Sequence, residues 1–269
     1  MKAIIMDQPG GTEALAYREV NKPVPGAGQV LVKVHATSVN FLDTVVRAGK
    51  LPPGLMPPMP FIPGLEASGV VVEGGDDTTV KVGTNVAFLG KVGAATYAEY
   101  VAVDADKLVT LDNNIDMDLA AAIPLNYTTA YHMIHNLCHA ESGKTAMIYA
   151  ASGGVGTALI QLCKLAGVQV VALERKHKKI ENALRNGADF AINTTEANWQ
   201  EEVKDVIGGV DYIFNPVWGD TSVDDLELLL PLGHIVMFGA MGGLGEHRLQ
   251  DEAFKHYRFK SPTISFSSI

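Results

Sequence analysis

Residues 145–179 read TAMIYAASGGVGTALIQLCKLAGVQVVALERKHKK, and the order of patterns in them decides the fold. Thr145–Ala151 is a short apolar run with a branched and an aromatic residue, which reads as a buried strand. Ala150-Ala151-Ser152-Gly153-Gly154-Val155-Gly156 follows at once. From Thr157 to Ala166 the apolar residues recur at helical spacing, and Gly167 stops the run. Val168–Leu173 reads as a second apolar strand. Strand, glycine turn, helix and strand within about 30 residues is the setting in which a glycine fingerprint marks a dinucleotide site.

The residue types fit that chemistry. A side chain at Gly153 or Gly154 would hold the backbone away from a pyrophosphate, and Gly156 lets the helix approach the strand. The helix N-terminus offers unpaired N–H groups and a partial positive charge to phosphates. Ala150, Ser152, Gly153, Gly154, Val155 and Gly156 are therefore the candidate pyrophosphate contacts. Ala150 stands where the first glycine of G-x-G-x-x-G would be. Glu174 ends the second strand, where an acid binds ribose hydroxyls and favours NAD. Arg175, Lys176, Lys178 and Lys179 follow and begin a helix, where cations oppose the macrodipole unless an anion sits among them.

Composition narrows the class. The 269 residues suffice for two modest domains, and a hydrophobic share of 47% against 19% charged residues indicates a well-cored soluble protein. A net charge of −9 argues against nucleic acid or an anionic membrane as partner. Two cysteines, Cys138 and Cys163, make no disulfide framework and lie in apolar helical patterns; a reducing compartment, the cytoplasm, is expected. No signal peptide, transit segment or membrane-length apolar run is visible.

Upstream of the fingerprint, Lys2–Met6, Leu15–Val20, Gln29–Ala36, Gly64–Glu73, Asn85–Phe88 and Tyr97–Val103 read as short strands between Gly/Pro turns, an irregular β-barrel-like domain. Asn40–Ala48 fits a short helix and Leu51–Pro63 a proline-rich loop. From Asp116, a plausible cap, the pattern turns helical; Pro124 breaks it, and Thr128–Leu137 forms a second helix. Beyond the fingerprint, Phe190–Asn193, Val210–Val217, His234–Ala240 and Thr263–Ile269 are strand-like, with Glu196–Ile207 and Ser222–Leu230 helical between them. The fold class is α/β: a barrel-like domain over residues 1–120, then a six-stranded doubly wound parallel sheet over 121–269.

Gly143-Lys144, Ala151-Ser152-Gly153-Gly154-Val155-Gly156, Gln161 and Lys164 together resemble the signature of the quinone oxidoreductase (zeta-crystallin-like) branch of the medium-chain dehydrogenases, with Met147 where Leu is usual. Val39-Asn40-Phe41-Leu42-Asp43-Thr44, Pro63-Gly64-Leu65-Glu66-Ala67-Ser68-Gly69 and Tyr97-Ala98-Glu99-Tyr100 resemble that family's GroES-like catalytic domain. The resemblance implies a Rossmann dinucleotide-binding domain after it. It also implies some tens of further residues returning to the catalytic domain after the sixth strand; the chain stops at Ile269, as a truncated product or a naturally short variant.

The implied activity is a zinc-independent, NAD(P)H-dependent hydride transfer to a quinone or an activated alkene. Zinc-dependent relatives carry Cys, His and Cys where this chain has Asn40, Leu65 and Pro124, so no metal is expected. His132, His135, Cys138 and His139 share one helical stretch, with His135 and His139 at i, i+4, but a helix face is the plainer reading. Charge developing on the substrate oxygen needs donors. Asn40, Tyr127 and Thr128 are the catalytic candidates; Asn40 and Thr128 match family positions near the nicotinamide and its ribose, and Asp43 orients the Asn40 loop. For Tyr127 a packed residue is an equal reading, with water then supplying the proton. Trp218, in the Asn215–Asp220 loop, and Phe238-Gly239, at the end of the fifth strand, match cofactor-contacting loops, with core packing the alternative for Phe238. Lys179 matches the family's phosphate-binding lysine, which with Arg175 favours NADP(H); NAD(H) stays possible. Leu51, Met56, Met59 and Trp218 suggest a small hydrophobic electrophile as substrate. A homodimer paired along the sixth strand is expected. The alternative function is a nucleotide-binding sensor or structural protein without turnover.

Overall fold

The computed structural model describes residues 1–52, 54–217, 221–239 and 260–267. The chain divides into two compact units, Met1–Leu125 and Asn126–Ile269.

In the first unit, β1 (Lys2–Met6) and β2 (Leu15–Glu19) form an antiparallel hairpin. A five-stranded antiparallel sheet is built from β3 (Gln29–Thr37), β4 (Glu66–Gly74), β5 (Asn85–Leu89), β6 (Tyr100–Asp104) and β7 (Leu108–Thr110), in the order β6-β3-β4-β5-β7. Bridges Ala3↔Ala98 and Met6↔Phe61 tie β1 to the segments just before β6 and before β4. Alternation sets the core: Val30 and Val32 of β3 meet Ala67 and Val71 of β4, Val86 and Phe88 of β5, and Val101 and Val103 of β6. The helix expected near residue 40 is α1 (Phe41–Arg47).

The border between units falls after α2 (Met117–Ala122), a few residues beyond the expected position. Asp116 caps α2 through the Asp118 and Leu119 amides, and Ser68 Oγ of β4 donates to the Met117 carbonyl at 2.6 Å, which holds α2 on the first unit. Pro124 does not end a helical region; it is the first residue of α3 (Pro124–Tyr131), where its missing N–H costs nothing. The expected continuous helix to Leu137 instead widens into a π-helical stretch over His132–Leu137.

The second unit has β8 (Thr145–Tyr149), β9 (Gln169–Glu174), β10 (Phe190–Asn193), β11 (Val210–Asn215), β12 (Leu229–Phe238) and β13 (Thr263–Ser267), all parallel, in the order β10-β9-β8-β11-β12-β13. Helices α4 (Gly154–Leu165), α5 (His177–Arg185), α6 (Trp199–Ile207) and α7 (Thr221–Leu228) connect the strands through β12. This is the doubly wound dinucleotide-binding order, with its switch point between β8 and β11. The central strand β8 is apolar throughout because both faces are covered. Ala146 and Ile148 face a core with Leu159, Ile160 and Cys163 of α4, while Met147 and Tyr149 face Trp199, Val203 and Leu226. Full burial of side chains such as Leu159 and Ile160 stabilises by about 1.5–3 kcal/mol each.

Candidate functional site

The turn after β8 is shaped by three contacts. Ala150 has φ 50°, the left-handed conformation a glycine adopts without penalty and an alanine at a cost of about 1–2 kcal/mol. Its carbonyl then accepts the Gly153 N–H at 2.9 Å. A methyl at Gly156 would collide with that carbonyl and lie 2.7 Å from the Ala151 backbone, so Gly156 is demanded by the fold itself. Gly154 is different: a methyl there would meet the Asn126 side chain, 2.9 Å from Cγ. Gly153 is exposed, and a methyl there would meet only the Ala150 carbonyl at 3.1 Å. That contact is tight, but milder than the one at Gly156.

Helix α4 starts at Gly154, and its N-cap is Gly153, which has no side chain to cap it. Its first intrahelical bond runs from Thr157 N–H to the Gly153 carbonyl at 2.8 Å. Gly154, Val155 and Gly156 therefore present the first-turn amides, and these could hold a pyrophosphate. The Ser152 amide is engaged elsewhere: it donates to Glu174 Oε1 at 2.6 Å. Ser152, expected among the phosphate contacts, contributes no backbone donor to that nest.

Glu174 is buried at 4% exposure, and its other oxygen lies 3.9 Å from Lys179 Nζ. The carboxylate at the tip of β9 thus turns inward to the glycine turn. Arg175, Lys176, His177 and Lys178 are exposed around the start of α5, and no side chain caps that helix.

In the first unit, a buried polar cluster surrounds the start of α1. Asn40 is the N-cap of α1 and forms a capping box with Asp43: the Asn40 amide N–H donates to Asp43 Oδ2 at 2.8 Å, and the Asn40 side chain takes the Asp43 N–H. Asp43 orients this loop, as the sequence suggested. Asn40 Nδ2 donates to Glu66 Oε1 at 2.8 Å and to Ser38 Oγ at 3.0 Å. Both hydrogens expected to reach a substrate oxygen are spent inside the cluster. Glu66, fully buried, also accepts from the Ser38 hydroxyl and from Leu125 N–H at 2.6 Å. Burial pushes the Asp43 carboxyl up; the Asn40 and Tyr97 donors oppose this and nearby Glu66 adds to it. Tyr97 is pushed up by burial and then by the Asp43 charge. Glu66 and Ser38 were not singled out from sequence. An acid inside the apolar run from Leu65 to Val72 was the available signal.

Tyr127 donates its hydroxyl proton to Gln161 Oε1 of α4, and Gln161 Nε2 donates to Asn186 Oδ1 at 3.3 Å. Burial raises the Tyr127 pKa, and its ring packs on the core beneath α4. The hydroxyl expected as an acid serves helix packing. Thr128 is exposed, whereas neighbouring Thr129 is buried. Phe238 is buried in the core on the α4 face of the sheet, so only its backbone is available to a ligand. Gly239 has φ 66°, and a methyl placed there would touch Pro216 at 3.8 Å. Trp218 lies outside the described residues.

No metal-binding face forms around His135. Its ring stacks on Tyr131 at 4.4 Å, His132 Nδ1 bonds the Asn136 amide at 3.2 Å, and His139 sits past the helix at φ 47°. The positions of the zinc ligands in zinc-dependent relatives hold the apolar, buried Leu65 and the fully engaged Asn40 amide, a donor set that does not fit zinc. Among the described residues, no group of three His, Cys, Asp or Glu side chains is placed to hold a metal, and no helix is long and apolar enough to cross a membrane.

An antiparallel β unit followed by this dinucleotide-type sheet defines a medium-chain dehydrogenase/reductase. Residues 26–113 match the alcohol dehydrogenase GroES-like domain, and 154–267 match the zinc-binding dehydrogenase family. Human quinone oxidoreductase is 32% identical over 247 residues, 90% of this chain and 74% of that protein; the mouse protein is also 32% identical, over 248 residues with the same coverage. The structure of *Escherichia coli* quinone oxidoreductase complexed with NADPH superposes with a TM-score of 0.90 at 27% identity, covering 100% of this chain and 81% of that one. The chain belongs to the quinone oxidoreductase branch of the medium-chain dehydrogenase/reductase family.

Proposed function

We propose that this protein is an NADPH-dependent oxidoreductase that reduces a quinone or an activated alkene without zinc. The observation that carries the reading is the glycine turn into α4, with an exposed Gly153 as its N-cap and Lys179 of α5 beside Glu174 at the end of the next strand. NADPH in the complexed *E. coli* relative supports the same cofactor here. The Gly154, Val155 and Gly156 amides hold the pyrophosphate, and Lys179 with Arg175 meets the 2′-phosphate. The backbone at Phe238-Gly239 meets the nicotinamide end.

The dinucleotide supplies, when bound, a hydride from nicotinamide C4. That hydride would go to the electron-poor carbon of the quinone or alkene, with the π pair passing to oxygen and the proton coming from water. Thr128, with an exposed hydroxyl, is the side-chain donor that remains for orienting the substrate or the ribose. Asn40 acts by holding the α1 loop.

The engagement of both Asn40 and Tyr127 within the fold favours a second reading, a dinucleotide-binding sensor without turnover. Loss of NADPH absorbance with a panel of quinones and enones separates the two. Turnover of a quinone or an enone supports the reductase and names its substrate class; tight NADPH binding with no consumption across the panel favours the sensor.

A further inference from the structure

We propose that Glu174 is a positioning residue for the pyrophosphate turn and not a ligand of the cofactor's ribose. This rests on the dinucleotide reading above. An acid at the end of the second strand normally selects NAD by accepting both adenosine ribose hydroxyls, which requires its oxygens to face the ligand. Here the carboxylate is 4% exposed. One oxygen holds the Ser152 N–H at 2.6 Å, and the other faces Lys179 Nζ at 3.9 Å. The backbone of Glu174 is equally fixed: its carbonyl accepts the Thr194 N–H at 2.9 Å, and it pairs with Asn193 in the sheet register.

The consequence reaches the phosphate site. Ala150 and Gly156 shape the turn from inside, through the Ala150 carbonyl. The Ser152 amide comes just before Gly153 in the turn, and Glu174 ties it to β9. That tie fixes the peptides leading into the first turn of α4, where the anion is held. A charge-assisted bond of this kind is worth roughly twice a neutral one. Both Glu174 oxygens are thus occupied within the chain, one by the Ser152 amide and one by the Lys179 ammonium, and on this proposal neither would be available to an adenosine ribose.

The test compares Glu174→Ala and Glu174→Gln with wild type, using dissociation constants for NADPH, NADH and ADP at one ionic strength. Glutamine keeps an acceptor oxygen for the Ser152 amide; alanine does not. The expected result is a loss of about tenfold for all three ligands in Glu174→Ala, since each carries a pyrophosphate, with NADH and ADP restored to within about twofold in Glu174→Gln. A loss confined to NADH and ADP, with NADPH unchanged, would mean that the carboxylate binds the ribose and would overturn the proposal. So would unchanged binding of all three in both variants. If Glu174→Ala does not fold, Glu174→Gln decides: a loss of NADH affinity beyond about fivefold in that variant contradicts the positioning role. Wild-type protein that binds neither dinucleotide would instead remove the functional reading itself.

Discussion

The Asn40 side-chain amide donates to the Glu66 carboxyl at 2.8 Å, across 26 residues of sequence, and this bond joins the cap of α1 to the first residue of β4. Ser38 and Leu125 N–H converge on the same carboxyl group. Three donors meeting one buried acid make a closed network, in which each member satisfies another. The family position that elsewhere holds a metal ligand is here part of that network.

Glu66→Gln is expected to destabilise the protein by about 1–3 kcal/mol, because the new amide hydrogens confront the Asn40 amide or the Leu125 N–H where an acceptor stood. A lowered urea midpoint checks this. An unchanged midpoint would show that the cluster contributes little to stability.

The two glycines of the turn separate fold from ligand. Gly156→Ala forces a methyl against the Ala150 carbonyl and the Ala151 backbone, and should lower both melting temperature and NADPH affinity. Gly153→Val keeps an ordinary φ of −75° and brings its Cβ to 3.1 Å from the Ala150 carbonyl, and should lower the melting temperature less than Gly156→Ala while lowering NADPH affinity at least about tenfold. NADPH fluorescence titration with a melting curve for each variant gives both readings. Wild-type affinity in Gly153→Val would remove the turn from the binding site.

The α/β architecture was legible because its signals are local. Periodicity separates β8, α4 and β9, and three glycines stand within four positions, Gly153 to Gly156, between β8 and the body of α4. The polar contacts were not legible, because their partners are far apart in the chain. Tyr127 meets Gln161 across 34 residues, and Leu125 meets Glu66 across 59. Nothing in the Tyr127 neighbourhood distinguishes a hydroxyl aimed at a ligand from one bonded to the next helix. Gln161 and Lys164, read as parts of a family signature, prove to be fastenings: Lys164 Nζ bonds both Asp189 oxygens at 2.7 Å. Glu174 matched the position for ribose recognition, but its direction depends on the Ser152 amide, 22 residues earlier.

β13 is the last strand in the sheet order, and Phe266 on it is 60% exposed. An outer strand with an exposed aromatic residue invites pairing with a second copy. We expect a homodimer joined along Thr263–Ser267. Light scattering that finds dimers in wild type and monomers in Phe266→Lys supports this, and a wild-type monomer refutes it.

The last expectation concerns acid. Asp225 of α7 is completely buried; its Oδ2 accepts from Asn215 Nδ2 at 2.7 Å, and the Tyr149 hydroxyl faces it from the end of β8. Burial pushes its pKa from 3.8 to about 7, with the Asn215 and Tyr149 donors opposing the rise and the Asp224 charge adding to it. In the unfolded chain the group ionises near pH 4. Folding therefore holds a proton that the unfolded chain has lost over the window from about pH 4 to about pH 7. The contribution of Asp225 to stability is fully present below that window, declines through it, and is lost above pH 7. At about 1.4 kcal/mol per unit, the decline is on the order of 4 kcal/mol. Asparagine copies the protonated acid, keeping an acceptor for Asn215 and presenting a donor to Tyr149, with no charge to bury. Asp225→Asn should therefore lie near wild type in stability at pH 4 and exceed it increasingly up to pH 7, after which the gap is constant. Urea midpoints for both proteins at pH 5 and pH 8 read the difference directly, because every other titrating group is common to the two. A gap of equal size at both pH values would show that Asp225 ionises alike in the folded and unfolded chains, and that the buried pair with Asn215 carries its charge at no cost.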